Sequence, residues 1–155
     1  MSQAEFQKTS FIVWSPHYRK DVILLEKVQH RFTRFFDNLK DLEYNERLRK
    51  LKLWTLQERR NRADLMELLK MVHGISTVPL DWYFQLADGG RTRGHCWKLL
   101  KSHSRCAARL YFFSERVVNR WNSLSREAVE VTTVNSFKSH LEKIRNKQMD
   151  FFMDP

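Results

Sequence analysis

His95, Cys96, His103 and Cys106 place four potential zinc ligands in one short basic segment. Zinc favours a tetrahedron of nitrogen and sulfur donors, with paired ligands usually about two to four residues apart. The adjacent His95 and Cys96 do not easily face one ion together. Two thiols and two imidazoles without a metal are therefore the alternative to a zinc site, and the sequence predicts no other metal and no cofactor.

Clustered acidic residues would be a second candidate for a catalytic site, because polymerases and nucleases hold Mg²⁺ with carboxylates. The chain has no adjacent aspartate pair and no obvious cluster of acidic residues outside surface positions of predicted helices. It also lacks the phosphate-binding loop, the Gly-x-Ser-x-Gly nucleophile turn and the His-Glu-x-x-His zinc motif. The sequence therefore predicts no catalytic residue and no small-molecule substrate.

The positive charge of the chain points to a polyanionic partner. Lys and Arg number 28 against 18 Asp and Glu, a formal net charge of +10. Such a balance is typical of nucleic-acid binding first and of anionic membrane binding second. No acid lies between Gly89 and Ser114. The predicted phosphate contacts are Lys20, Lys27, Arg31, Arg34, Arg59, Arg91, Arg93, Lys98, Lys101, Arg105, Arg109, Arg116 and Arg120.

Several of the basic and aromatic residues also have a purely structural interpretation. Helical spacing pairs Arg47 with Glu43, Arg60 with Asp64 and Arg62 with Glu58 on solvated faces. Trp97 stacks on a base or lies in the core, and Phe112 alternatively stacks under Arg116. The row formed by Phe112, Arg116 and Arg120 either grips phosphate or is the wet edge of a core helix.

The elements that position these residues are predicted from apolar spacing and capping signals. A first helix starts at Pro16 with Ser15 as its cap, and a last one is capped by Thr133. The predicted fold is mainly α, a helical bundle with a short irregular or β-hairpin segment around 91–104. The predicted inward faces are Leu25, Val28, Phe32, Phe35, Phe36 and Leu39; Tyr44, Leu48 and Leu51; Leu65, Leu68, Leu69 and Val72; Leu110, Phe113, Val117, Trp121 and Leu124; and Val134, Phe137, Leu141 and Ile144.

Secretion and membrane insertion are not expected from this sequence. The N-terminus lacks the charged start and apolar stretch of a signal peptide, and no apolar run is long enough to span a bilayer. The 2 cysteines are expected to stay reduced. We therefore expect an intracellular protein, nuclear or cytoplasmic.

Five motifs occur in a familiar order along the chain. VWSPHYRKDVILLEKVQHRFTR, YNERLRKLKLWTLQERRNRADLMELLKMVHG, RTRGH, FFSERVVNRWNSL and VNSFKSHLEK follow one another from about Val13 to Lys143. Together they resemble the C-terminal part of the reverse transcriptases of jockey-type non-LTR retrotransposons. Where that family tends to have Pro after Asn-Ser-Leu, this chain has Ser125.

The resemblance implies a thumb that grips an RNA–DNA or DNA duplex, largely without regard to sequence, beside an upstream polymerase domain. It implies 1–14 as a palm remnant, 15–75 as the thumb-like region, 76–108 as a basic connector and 109–155 as a C-terminal helical region. The catalytic aspartates and their Mg²⁺ are expected to lie before Met1. The thumb-like residues that the resemblance implies are Lys27, Arg31, Arg34, Arg47, Arg59, Arg60 and Arg62. The corresponding residues of the later motifs are Arg91, Arg93, Arg116 and Trp121.

Three functional expectations follow. The first is a non-catalytic segment of an RNA-directed DNA polymerase that binds template–primer through basic helices. The second is a helical protein-interaction module or an inert relic of a retroelement, and the third is a small zinc-binding domain. If a polymerase domain normally covers part of the surface, an exposed apolar patch is expected around Phe11, Val13 and Trp14.

Overall fold

The computed structural model describes residues 15–16, 18–87, 94–102, 107–148 and 150–153. In this part of the chain the fold is a mainly α-helical bundle, which confirms the predicted fold class. Short 3-10 turns occupy Thr33–Phe35, Asp37–Leu39 and Leu80–Trp82. The helices are α1 (Arg19–Phe32), α2 (Tyr44–Leu51), α3 (Leu56–Val72), α4 (Ala107–Leu110), α5 (Phe113–Arg116), α6 (Val118–Ser123), α7 (Arg126–Val129) and α8 (Val134–Lys147).

Capping signals located the two long helices of the core correctly. At the start of α3, the Thr55 hydroxyl accepts a bond from the Glu58 amide, and the Glu58 carboxylate accepts one from the Thr55 amide. The helix stops before Gly74, whose φ of +66° is readily adopted only without a side chain. At the start of α8, the Thr133 hydroxyl accepts a bond from the Ser136 amide at 3.1 Å.

The predicted start and apolar face of α1 were wrong. The helix begins at Arg19, after an extended Tyr18, so Ser15 and Pro16 precede it. Leu39 is buried, but Val28, Phe32, Phe35 and Phe36 are exposed. The fully buried residues on the inward side of α1 and the turn after it are polar, Gln29 and Thr33, and the predicted Leu25 is half-buried there.

The predicted helix from Arg109 to Leu124 is interrupted. Phe112 is extended, with φ −66° and ψ 151°, and its carbonyl accepts the amides of Glu115 and Arg116. Leu110 is exposed as a result, whereas the rest of the predicted stripe is buried. Leu124 is extended as well, and the Ser125 hydroxyl then caps α7.

One apolar core joins the two predicted helical regions. It contains Leu65, Leu68 and Leu69 from α3, with Phe137 and Leu141 from α8. Trp121 and Phe152 complete it, both fully buried. Between these regions, Leu86 forms an isolated antiparallel bridge with Leu99. Residues 94–102 are otherwise irregular. An irregular segment was one of the two alternatives predicted for this region, and a β-hairpin was the other.

Candidate nucleic-acid interface

Four of the predicted phosphate contacts lie in one row on α1 and the 3-10 turn that follows it. At about 100° per residue, their side chains leave the axis within an arc of roughly 60°. All four side chains are exposed, and Lys20 also approaches the Tyr18 ring at 5.6 Å. We call them the α1 cation row: Lys20, Lys27, Arg31 and Arg34.

The acid nearest the middle of this row faces the other way. Glu26 accepts hydrogen bonds from the Tyr44 hydroxyl and, at 3.0 Å, from the amide of Leu56. Burial, together with the bond to Glu26, raises the pKa of Tyr44, so the phenol stays protonated as the donor. Gln29 adds a bond to the Trp54 carbonyl at 2.9 Å. These contacts fix the rotation of α1 and leave the cation row turned to solvent.

Arg47 does not form the surface pair with Glu43 that helical spacing predicts. It is 2% exposed, donates to the Leu42 carbonyl at 3.1 Å and lies 3.2 Å from Nε2 of His30. Burial lowers the pKa of His30, and the charges of Arg47 and Arg34 lower it further. A neutral His30 accepts from Arg47, so this arginine holds α1 to α2 instead of facing a ligand.

The acids predicted to pair within α3 bind arginines from distant helices. Glu58 accepts two bonds of 2.9 Å from Arg145 on α8, while Arg62 approaches Glu142 at 3.9 Å. Asp64 accepts two bonds, of 2.7 and 2.9 Å, from Arg116. Helical spacing assigned both acids to the wrong partners, because their buried positions face other helices.

Arg116 and Arg120 are both bound to other parts of the protein. Besides Asp64, Arg116 bonds the Tyr111 carbonyl at 2.9 Å and lies over the Phe113 ring instead of that of Phe112. Arg120 donates to the carbonyls of Phe151 and Met153 at 3.1 and 3.0 Å. Both guanidinium groups hold the fold together. These contacts agree with the structural interpretation of the row formed by Phe112, Arg116 and Arg120.

The remaining basic candidates are distributed over other elements. Arg59 is exposed on α3, Lys101 and Arg109 are exposed near the connector, and Lys98 is half-buried. None of these belongs to the α1 cation row. Arg91, Arg93 and Arg105 lie outside the described residues.

Of the four candidate zinc ligands, the structure describes His95 and Cys96. His95 is buried, with Nε2 3.0 Å from the Trp121 carbonyl, while Cys96 is exposed. His103 and Cys106 lie outside the described residues. Among the residues the structure does describe, no three His, Cys, Asp or Glu side chains converge as a metal site would require. Trp97 is partly buried against the core, where its carbonyl accepts from Trp121.

Exposed apolar side chains lie beside the cation row on α1. Leu24, Val28, Phe32 and Phe35 occupy the adjacent arc of the helix, and Phe35 is 81% exposed. We call these four residues the α1 apolar row. The patch expected at Phe11, Val13 and Trp14 lies outside the described residues.

Four aromatic residues are exposed that the sequence analysis did not predict to form a surface. Trp82 ends the 3-10 turn after Pro79 and Tyr83 follows it, while Tyr111 and Phe112 lie at the break between α4 and α5. We call these residues the aromatic surface. One feature of the sequence could have indicated this surface, the run of three aromatic residues at 82–84. In the structure, Phe84 is the buried member of this run.

Comparisons with known proteins leave the family open. No family model matches the chain, and neither a curated protein nor a solved structure shows significant similarity to it. None of the helices in the described ranges combines the length and the apolar character needed to cross a bilayer.

Proposed function

We propose that this chain is a nucleic-acid-binding helical domain, the C-terminal segment of a reverse transcriptase like those of jockey-type non-LTR retrotransposons. In this proposal it binds the template–primer duplex through the α1 cation row and catalyses no reaction itself. The polymerase chemistry, with its aspartates and Mg²⁺, belongs to an upstream domain. The observation that carries the proposal is the row itself: four exposed cations on one continuous face.

The dimensions of the row suit a duplex backbone. With a rise of about 1.5 Å per residue, Lys20 and Arg34 are roughly 21 Å apart along the helix axis. Duplex DNA carries one negative charge per roughly 1.7 Å of its axis, so a row of this length spans many phosphates. Backbone contacts of this kind do not read base identity. We therefore expect binding that depends on salt and is largely independent of sequence.

A salt titration tests the proposal. If four phosphates are neutralised, the slope of log K against log salt is about −3.6 on duplex DNA. The variant Lys27→Ala/Arg31→Ala/Arg34→Ala should make this slope shallower by about 2.7, since three contacts are lost. Fluorescence anisotropy with a labelled duplex, at several salt concentrations, measures both values.

The matched control removes the same charge elsewhere. Arg49→Ala/Lys143→Ala/Lys147→Ala also deletes three exposed cations, on α2 and α8. It should keep nearly the whole slope, because these residues lie outside the row. Equal slopes for the two triple variants would reduce the interaction to general attraction by net charge, and the proposed interface would be wrong.

The α1 apolar row favours a second candidate function, a protein-interaction module. Val28 is 65% exposed in the middle of a helix. Exposed apolar side chains that lie together commonly mark a site where another protein binds. If the partner is a polymerase domain, Val28→Ser/Phe32→Ser should abolish co-purification with the co-expressed polymerase domain of a jockey-type element. Duplex affinity should stay unchanged, because the cation row is intact.

A further inference from the structure

The aromatic surface is exposed although its residues sit on the edge of a well-packed cluster. Trp82 is 74% exposed, and about half of each of the other three side chains faces solvent. Tyr83 contacts the buried Phe113 edge-on at a ring distance of 6.2 Å, and Phe113 also contacts Phe84 at 5.4 Å. Because Tyr111 and Phe112 directly precede Phe113, these contacts bring Tyr83 close to the segment that carries the other exposed pair.

The backbone beneath these rings is held in place by buried groups. Arg116 bonds the Tyr111 carbonyl while its other nitrogens bind Asp64 on α3. The amides of Glu115 and Arg116 bond the Phe112 carbonyl at 2.9 and 3.0 Å. The Phe84 amide bonds the Leu80 carbonyl across the turn that carries Trp82. The aromatic surface is therefore presented by a fixed backbone rather than by a loose loop.

Positive charge borders the aromatic surface. The bridge of Leu86 with Leu99, with the bond from the Leu100 amide to the Gln85 carbonyl, sets an antiparallel register. Lys101 is exposed directly after Leu100, and Gln85, which bonds Leu100, comes two residues after Tyr83. On the other side, the exposed Arg109 comes two residues before Tyr111. Asp81, which precedes Trp82, is an opposing negative charge, so the balance favours an anionic ligand with flat apolar groups.

We propose that the aromatic surface binds unpaired nucleotides of a single-stranded nucleic acid, with bases stacked on its rings and phosphates near Lys101 and Arg109. This inference rests on the proposed nucleic-acid-binding function and adds a second site with a different ligand. Base faces are accessible only outside a duplex, where aromatic rings and flanking cations recognise them without regard to sequence. The α1 cation row binds the paired part, and the aromatic surface binds an unpaired strand.

Two probes of equal charge separate stacking from electrostatics. One is a labelled 20-nucleotide oligothymidylate, and the other is the same backbone with abasic sugars. Their affinities are compared by fluorescence anisotropy at one fixed salt concentration. The natural protein should bind the thymidine strand at least about tenfold more tightly, since each stacked base contributes a factor of roughly 5 to 160.

Two double variants test whether the preference for the thymidine strand depends on the rings of the aromatic surface. Trp82→Ala/Tyr111→Ala should remove this preference for bases, whereas Trp82→Phe/Tyr111→Phe should retain most of it. Neither variant should change duplex affinity more than about twofold, because the α1 cation row is untouched. Circular dichroism and the thermal midpoint check that both variants fold, which the exposure of Trp82 and Tyr111 leads us to expect.

The outcomes distinguish this inference from the proposed function. Equal affinity for the two strands would overturn stacking, even if the duplex still depends on the α1 cation row. Loss of duplex dependence on that row would overturn the proposed function, whatever the single strands do. If sedimentation shows that the alanine variant abolishes self-association instead, the aromatic surface is an interface between copies of this chain and the inference is wrong.

Discussion

At the scale of single residues, the ion pair of Asp64 with Arg116 links α3 to α5. Their side chains are only 5% and 11% exposed, and two short bonds join them. In such an enclosed pair, the loss of one partner leaves a charge that water does not solvate. The strength of the pair is therefore best measured by removing the acid.

Asp64→Asn should lower the free energy of unfolding by about 3 kcal/mol or more, because Arg116 keeps its charge without its carboxylate. Urea denaturation followed by circular dichroism measures the change. Asp37→Asn is the matched control, since Asp37 pairs with Lys40 on an open surface and should cost less than about 1 kcal/mol. Similar losses in the two variants would contradict the structural role given to Asp64.

Two histidines make stability depend on pH. Burial lowers the pKa of both His30 and His95 below the ordinary value of 6.5. For His95 the nearby Lys98 lowers the pKa further, and the bond to the Trp121 carbonyl opposes the shift. The unfolded chain then binds protons more readily than the folded one. Stability from this source is complete above about pH 6.5 and is lost as the pH falls below it.

The free energy of unfolding should therefore decrease between pH 7.5 and pH 5.5. His95→Gln keeps a side-chain donor for the Trp121 carbonyl and cannot take up a proton. It should flatten part of the decrease and leave the part that His30 contributes. Denaturant titrations at the two pH values measure this, and a wild-type stability that rises on acidification would contradict the assignment.

Residue partners were the least predictable feature of this chain. Spacing along α3 correctly marked Glu58 and Asp64 as paired acids, but it chose neighbours one turn away. The actual partners, Arg145 and Arg116, are 87 and 52 residues distant in sequence. Such pairing follows from how helices pack, and no local pattern contains that information. What could be predicted is that the carboxylates of Glu58 and Asp64 bind hydrogen-bond donors, because buried carboxylates are rarely left unpaired.

At the scale of elements, the segment 150–153 after α8 closes the core. Phe152 is fully buried, 5.0 Å from the Trp54 ring, and its carbonyl accepts from Asn61 at 2.7 Å. Arg120 holds the carbonyls on either side of it. The segment after α8 therefore packs as part of the fold, although its sequence carries no helical pattern.

Phe152→Ala should lower the free energy of unfolding by about 3–5 kcal/mol, because a buried ring is lost and a cavity remains. Chemical denaturation measures the loss. Phe35→Ala is the control, since Phe35 is 81% exposed and its removal should change stability by no more than about 0.5 kcal/mol. A small effect at Phe152 would mean that the tail does not contribute to the core.

Three helix ends were predictable from a cap or a glycine, although the similar signal at Ser15 and Pro16 did not mark the start of α1. The capping box at Thr55, the left-handed Gly74 and the cap at Thr133 each fixed a helix terminus. The break at Phe112 had no such mark in the sequence. At this break, Arg116 bonds the Tyr111 carbonyl and, 52 residues away in sequence, Asp64. For the candidate site, the helical period predicted the α1 cation row, but not that the apolar side chains beside it would be exposed.

At the scale of the whole molecule, stability and the proposed binding surface are separated. The apolar core begins at Trp54 and runs to Phe152, and it contains no residue of α1. What holds α1 is polar: the bonds of Glu26 and Gln29 to Tyr44, Leu56 and Trp54, together with the contact between Arg47 and His30. Polar contacts at a partly solvated boundary stabilise a helix less than apolar burial does.

Native-state hydrogen exchange should therefore reveal two levels of protection. Amides of α1 should exchange through local opening, at a lower free energy than amides of α3, which should require global unfolding. Glu26→Gln should speed exchange in α1 and leave α3 unchanged, because it weakens only the anchor of α1. Duplex binding should slow exchange in α1 if the cation row is the interface. Equal protection of α1 and α3 in the free protein would instead show that the polar anchor couples α1 fully to the core.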